Sequence, residues 1–181
     1  LFTLGDGTVL GVEICEDLWA PMPPSTMMRL NGAEVIVNLS ASNEVVGKRA
    51  YRQNLVTHQS SVCSCVYALC SAGSTESTQD LVMSGHSLIA QDGKLIAENK
   101  DLIASDYLLV QDVDLGTVRA RRRHNTSIRD AISIYSQIEP ARRIDCGCSS
   151  LRSDGTLYTY EKMPFVPDDP QVLANRCEDI F

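Results

Sequence analysis

The alternating run Thr8-Val9-Leu10-Gly11-Val12-Glu13-Ile14 ends at Cys15. The acidic segment Glu16-Asp17-Leu18-Trp19 and the proline-rich Pro21-Met22-Pro23-Pro24 follow at once. The alternation has the period of a strand, and the prolines stop the chain from continuing straight. Cys15 therefore stands where a strand gives way to a turn. Such a junction fixes the backbone while the peptide N–H groups that follow can face a developing oxyanion, which suits a nucleophile. It also suits the small buried hydrophobe that most cytosolic cysteines are.

Around this stretch the pattern predicts alternating strands and helices. Leu1 to Leu4 and Thr8 to Cys15, joined by Gly5-Asp6-Gly7, read as a hairpin. Pro23-Pro24-Ser25 offers a helix start, with Met27, Met28 and Leu30 turned inward. Ala33 to Ser40 is a continuous apolar run, the pattern of a strand buried on both faces with a functional loop, 41–47, at its carboxyl end. From Lys48 the spacing of Tyr51, Leu55, Val56, Gln59 and Val62 predicts a helix, and Val66 to Cys70 a further strand. A loop over 73–80 precedes a second hairpin through Asp92-Gly93, and Tyr107 to Val113 reads as a final strand. A helix follows from Asp114 through Arg123. The remainder reads mostly as loop until Asp169-Pro170 opens another helix. Mixed strands, helices and hairpins indicate an α/β or α+β layered domain.

A chain of 181 residues suits one domain with a sizeable core. A net charge of −7 disfavours nucleic acid and acidic membrane as partners. The one basic run, Arg119 to Arg123, reads as a solvated or salt-bridged helix face. Seven cysteines, an odd number, and no long apolar leader point to a reducing, cytoplasmic setting. Cys63-Ser64-Cys65 and Cys146-Gly147-Cys148 could supply four thiolates, but their spacing is too tight for a zinc ribbon, and no metal is assigned. Leu1 enters strand pattern directly, so the chain is expected to begin inside a domain.

Cys15-Glu16-Asp17-Leu18-Trp19, Asn38-Leu39-Ser40-Ala41-Ser42-Asn43-Glu44, Gly47-Lys48, Ser71 to Asp80, Ser84-Gly85-His86-Ser87 and Pro164-Phe165-Val166-Pro167 occur in one order along nearly the whole chain. Together they resemble the glutaminase domain of glutamine-dependent NAD synthetases, a branch of the nitrilase (carbon-nitrogen hydrolase) superfamily. The resemblance implies a nitrilase-like α-β-β-α sandwich, of which this chain is the carboxyl-terminal half. Residues 1–167 would belong to that domain and 168–181 to a linker towards an absent synthetase domain.

The resemblance also assigns roles. Cys15 is the nucleophile that attacks the glutamine side-chain amide and passes through a thioester. Glu16 lies beside it in the glutamine pocket, although the residues alone also fit a turn carboxylate. Ser42 and Lys48 contact the substrate glutamine; without the family they read as a turn residue and a helix-start surface charge. The family's Glu base and Lys stabiliser precede Leu1, so the isolated chain is expected to be inactive. Glu13 is an unlikely substitute, being about 7 Å from Cys15 along one strand face. Trp19 is expected to pack over the turn or at a subunit contact. His58, His86 and His124 show no ligand spacing, with His86 the second choice of base.

Ammonia is expected to pass to the synthetase domain, which aminates deamido-NAD with ATP and Mg²⁺; no cofactor is assigned to this chain. Expected partners are glutamine, the rest of the glutaminase and synthetase domains, and further copies in a homo-oligomer, with no nucleic acid and no membrane. Two alternatives stay open, a stand-alone amidase of the same superfamily and a non-catalytic assembly module.

Overall fold

The computed structural model describes residues 1–99, 107–134, 140–147, 158, 160, 163 and 166–180. Gly5-Asp6-Gly7 folds the two alternating runs back on each other as β1 (Phe2–Thr3) and β2 (Val9–Ile14), paired antiparallel. Proline at the first helical position then starts α1 (Pro24–Leu30). Next come β3 (Val35–Ser40), α2 (Lys48–Val62) and β4 (Val66–Ser71), two strand–helix–strand crossovers that lay β2, β3 and β4 side by side in parallel. Asp92-Gly93, both residues at positive φ, closes the hairpin of β5 (Leu88–Gln91) and β6 (Lys94–Glu98). After α3 (Leu115–His124) and α4 (Thr126–Ile134), β7 (Ile144–Asp145) pairs with β1, and α5 (Pro170–Ile180) ends the described chain. The sheet has seven strands in the order β6-β5-β4-β3-β2-β1-β7.

Helices cover one face of this sheet. α1 packs on β2 and α2 on β4, β5 and β6. Between them lie Ile36, Val56, Tyr67, Leu69, Leu88 and Ala90, all fully buried. Gly11 lets α1 approach closely, since a Cβ there would meet Met28 Sδ at 2.7 Å.

Several expectations change here. β3 is not buried on both faces: Ile36 and Asn38 are sealed beneath the helices, but Leu39 on the other face is 57% exposed. The fully buried positions of α1 are Ser25 and Arg29; Met28 packs against the core as expected, while Met27 and Leu30 are only half-buried, because the helix also meets polar partners: Arg29 Nε donates to Cys63 O at 2.6 Å. On α2 the buried residues are Arg52, Val56, Gln59 and Ser60, while Tyr51 and Val62 are exposed. Tyr107 to Val113 forms no strand: the apolar run is there, but no strand of the described sheet pairs with it. The segment read as loop contains α4 and β7.

The basic run lies on α3, whose Val118 is fully buried. Arg119 makes a bidentate pair with Glu34, at 2.6 and 2.9 Å, and Arg121 pairs with Asp92. Arg122 instead inserts between helix and sheet and donates to Ser64 O and Ala33 O, and burial pushes its guanidinium down to about 10. Cys63 and Cys65 are buried at the end of α2 and the start of β4, and Cys146 is exposed. Cys148, Pro164, Phe165 and Phe181 lie outside the described residues.

Candidate active site

At Cys15 the backbone turns out of β2 into a short 3₁₀ turn, Cys15–Trp19. Asp17 Oδ2 accepts the Ile14 N–H at 2.7 Å, closing the acidic turn on itself. Cys15 adopts φ 46°, a left-handed conformation that costs a non-glycine residue about 1–3 kcal/mol and persists only where the surroundings impose it. Asn38, next door on β3, imposes it. Its Oδ1 accepts the Cys15 N–H at 3.0 Å and its Nδ2 donates to the Cys15 carbonyl at 3.2 Å. Ser40, two residues along the same strand, donates its hydroxyl to Cys15 Sγ at 3.5 Å. The thiol is half-buried.

Beneath this junction runs a buried polar chain. Glu13 is fully buried under α1, where its Oε2 accepts the Ser25 N–H at 2.7 Å and its Oε1 accepts the Tyr67 hydroxyl. The Tyr67 oxygen in turn accepts from Asn38 Nδ2 at 3.2 Å. Burial, with the Glu13 carboxylate beside it, raises Tyr67 far above the ordinary phenol value, so it remains a donor. Gln59 on α2 donates to Ser25 Oγ at 2.9 Å and ties the second helix in. Glu13 is thus fully engaged away from the thiol. The shared strand face expected of Glu13 and Cys15 is interrupted by the left-handed backbone.

The loop after β3 carries the other sequence-derived positions. Ser42 is buried, and its Oγ accepts from Arg52 Nη1 at 3.2 Å, which leaves the hydroxyl proton available to a second acceptor. Arg52, fully buried on α2, also donates to Asn43 O at 3.3 Å, to Glu44 Oε2 and to His86 Nδ1 at 2.9 Å. One guanidinium therefore holds three consecutive residues of the loop. His86 passes its other nitrogen, Nε2, to Glu98 Oε1 at 2.9 Å, and burial lowers its pKa. Because Nδ1 accepts from Arg52, the ring is neutral with its proton on Nε2, and both nitrogens are occupied within this network. Lys48, the first residue of α2, sets Nζ 5.4 Å from the Trp19 ring centroid and 5.7 Å from that of Tyr51. Lys48 and the acidic turn thereby meet at Trp19, which packs against the core. Glu16 is exposed on that turn.

On the opposite face of the sheet lies an apolar cleft of about 360 Å³, lined among others by Val37, Leu39, Cys70, Ile89, Tyr107 and Leu108. Among the described residues no group of three His, Cys, Asp or Glu side chains could hold a metal ion, and no helix is long and apolar enough to cross a membrane.

Asn38, Ser40 and Arg52 were not assigned roles from sequence. A signal existed for Asn38, since an amide inside the apolar run Val35 to Leu39 must find hydrogen-bond partners. Ser40 could be suspected only once β3 was known to run beside β2. Nothing in the helical spacing marks Arg52, whose role depends on the loop and on His86 reaching it.

A model of the carbon-nitrogen hydrolase family matches residues 1–123. The glutamine-dependent NAD(+) synthetase of Mycobacterium tuberculosis is 37% identical over 185 aligned residues, covering all of this chain and 27% of that protein. The human glutamine-dependent NAD(+) synthetase is 34% identical over 143 residues, covering 78% of this chain and 20% of its own length. The chain thus spans about a quarter of the length of the mycobacterial relative. Among solved structures, a carbon-nitrogen hydrolase from Helicobacter pylori G27 superposes with a TM-score of 0.56 at 21% identity, over 75% of this chain and 50% of that one. The likeness shows the shared nitrilase-like α/β fold.

Proposed function

The chain belongs to the carbon-nitrogen hydrolase family, and we propose that it is the nucleophile-bearing part of the glutaminase domain of a glutamine-dependent NAD synthetase. In this reading Cys15 Sγ attacks the side-chain amide carbon of glutamine and the C–N bond breaks. Ammonia leaves with a proton from a general acid, and water hydrolyses the resulting thioester to glutamate. The observation that carries the reading is the half-buried thiol at a strand end, held by Asn38 and bonded by Ser40. The base and the lysine that stabilises the tetrahedral intermediate come from the rest of the domain, and the 181 residues alone carry no turnover.

Glu16, Ser42 and Lys48 take the substrate. The free Ser42 hydroxyl proton suits a carboxylate or carbonyl oxygen, and the Lys48 ammonium suits the α-carboxylate. Ammonia is consumed in the synthetase domain, where ATP and Mg²⁺ act and deamido-NAD becomes NAD; no residue of this chain is assigned to them. Residues 168–181 lead towards that domain, and the setting is the cytoplasm.

In the full-length parent protein, Cys15→Ala abolishes glutamine-dependent NAD formation while synthesis from added ammonium continues. Glutamine-dependent synthesis that survives the substitution removes Cys15 from the mechanism. A second reading is favoured by the apolar cleft on the open sheet face, that the chain also serves assembly. There the open face is covered by the rest of the hydrolase domain, and the parent forms a homo-oligomer.

A further inference from the structure

Cys15 is the point of greatest backbone strain near the site, and both of its peptide groups meet one side chain. The Cys15 N–H reaches Asn38 Oδ1 at 3.0 Å, and Asn38 Nδ2 reaches the Cys15 carbonyl at 3.2 Å. An amide is the side chain suited to this, because it offers one acceptor and one donor group at fixed separation. Only one orientation of the amide fits both Cys15 groups, and its surroundings hold it there. Glu13 is a buried carboxylate that takes the Ser25 N–H and the Tyr67 hydroxyl. A tyrosine that donates to Glu13 must accept at its oxygen from Asn38, so the Asn38 NH₂ group faces Tyr67 and Oδ1 faces the Cys15 N–H. The buried carboxylate therefore anchors the amide through Tyr67, and the amide sets the nucleophile.

The geometry points to Asn38 as a positioning residue for the nucleophile, a two-point clamp that holds Cys15 in its left-handed conformation and is itself anchored by the Glu13–Tyr67 pair. This rests on the reading of Cys15 as nucleophile and adds what keeps it in place. It has a chemical consequence as well. The Cys15 N–H is taken by Asn38, so donors for an oxyanion come from other groups. Glu13, although two residues from the thiol, acts on it only through Tyr67 and Asn38.

The test uses the full-length parent protein and steady-state glutamine hydrolysis. Asn38→Leu, close in shape but without either hydrogen-bonding group, is expected to lower kcat on the order of 100-fold with KM changed less than about threefold, because the thiol is displaced while the substrate-binding groups stay. Val56→Ala, which opens a cavity in the same core away from Cys15, lowers the unfolding midpoint but leaves kcat within about twofold. If Asn38→Leu fails to fold, Tyr67→Phe gives the answer. It keeps both Cys15 contacts but removes the amide's third anchor, so the clamp loosens and kcat falls about tenfold at near-constant KM. Alkylation of Cys15 by iodoacetamide, followed by peptide mass, slows in the same order. A kcat in Asn38→Leu or Tyr67→Phe equal to that of Val56→Ala overturns the clamp while Cys15→Ala remains inactive. Turnover retained in Cys15→Ala would instead take away the nucleophile, and the clamp with it.

Discussion

At the carboxyl ends of β2 and β3 the two faces of the sheet invert the usual distribution of polarity. Beneath the helices, on β2, β3 and β4, lie Glu13, Asn38 and Tyr67, and α2 adds a fully buried Arg52. On the open face, neighbouring positions of β2 and β3 carry Ile14 and Leu39, 62% and 57% exposed. Hydrophobicity alone would have turned these strands over. What fixes their orientation is that Glu13, Asn38 and Tyr67 find partners beneath the helices, whereas an isoleucine left in water forfeits only its transfer energy. The buried face positions the Cys15 turn and the loop after β3. The open face carries the exposed apolar side chains.

The sharpest way to break this contrast is to remove a charge from the covered face. Arg52→Met leaves Glu44, His86 and the loop carbonyl of Asn43 without their shared donor, and is expected to cost about 3–5 kcal/mol in denaturant unfolding. A loss below about 1 kcal/mol would mean that the network is ornamental rather than structural.

The pH dependence probes the same network more gently. His86 is neutral in the fold because burial lowers its pKa, whereas in the unfolded chain it titrates near its ordinary value, about 6.5. As pH falls below that value the unfolded state binds the extra proton first. Stability therefore falls with decreasing pH, by at most about 1.4 kcal/mol per pH unit, until the folded-state pKa is reached. The lowered carboxylates Glu34, Glu44 and Glu98 lose their contributions only at more acid pH, below about 4.5. Unfolding midpoints between pH 5 and 7 should show a slope that His86→Gln flattens.

The smallest effect belongs to the open face. Leu39→Ser is expected to change the stability of the 181-residue chain by less than about 0.5 kcal/mol. The same substitution in the full-length parent should cost about 2 kcal/mol or more once the face is covered, so the difference between the two measurements reports the covering directly.

Much of this was legible in the sequence. The Gly5-Asp6-Gly7 and Asp92-Gly93 turns, the strands leading to Cys15 and Ser40, and α3 opening at Asp114 follow from local rules of turn chemistry, periodicity and capping. Readings that required a partner were less secure. Tyr107 to Val113 has a strand's apolar run but is not paired into the described sheet. β7 exists because Phe2 and Thr3 offer a sheet edge more than 140 residues away in sequence. α4 carries isoleucines at helical spacing but contributes no buried residue, so its pattern was easily read as loop.

The candidate site divides along the same line. That a cysteine stands at a strand end before an acidic, proline-bounded turn is local information, and the chain states it without help. That its backbone is left-handed, that Asn38 holds it from β3, and that Glu13 faces inward to Tyr67 depend on residues 23 to 54 positions apart. Periodicity tells which residues share a face of a strand, but which face is buried is decided by whether polar groups find their donors and acceptors, and those arrive only when the sheet and its helices have assembled.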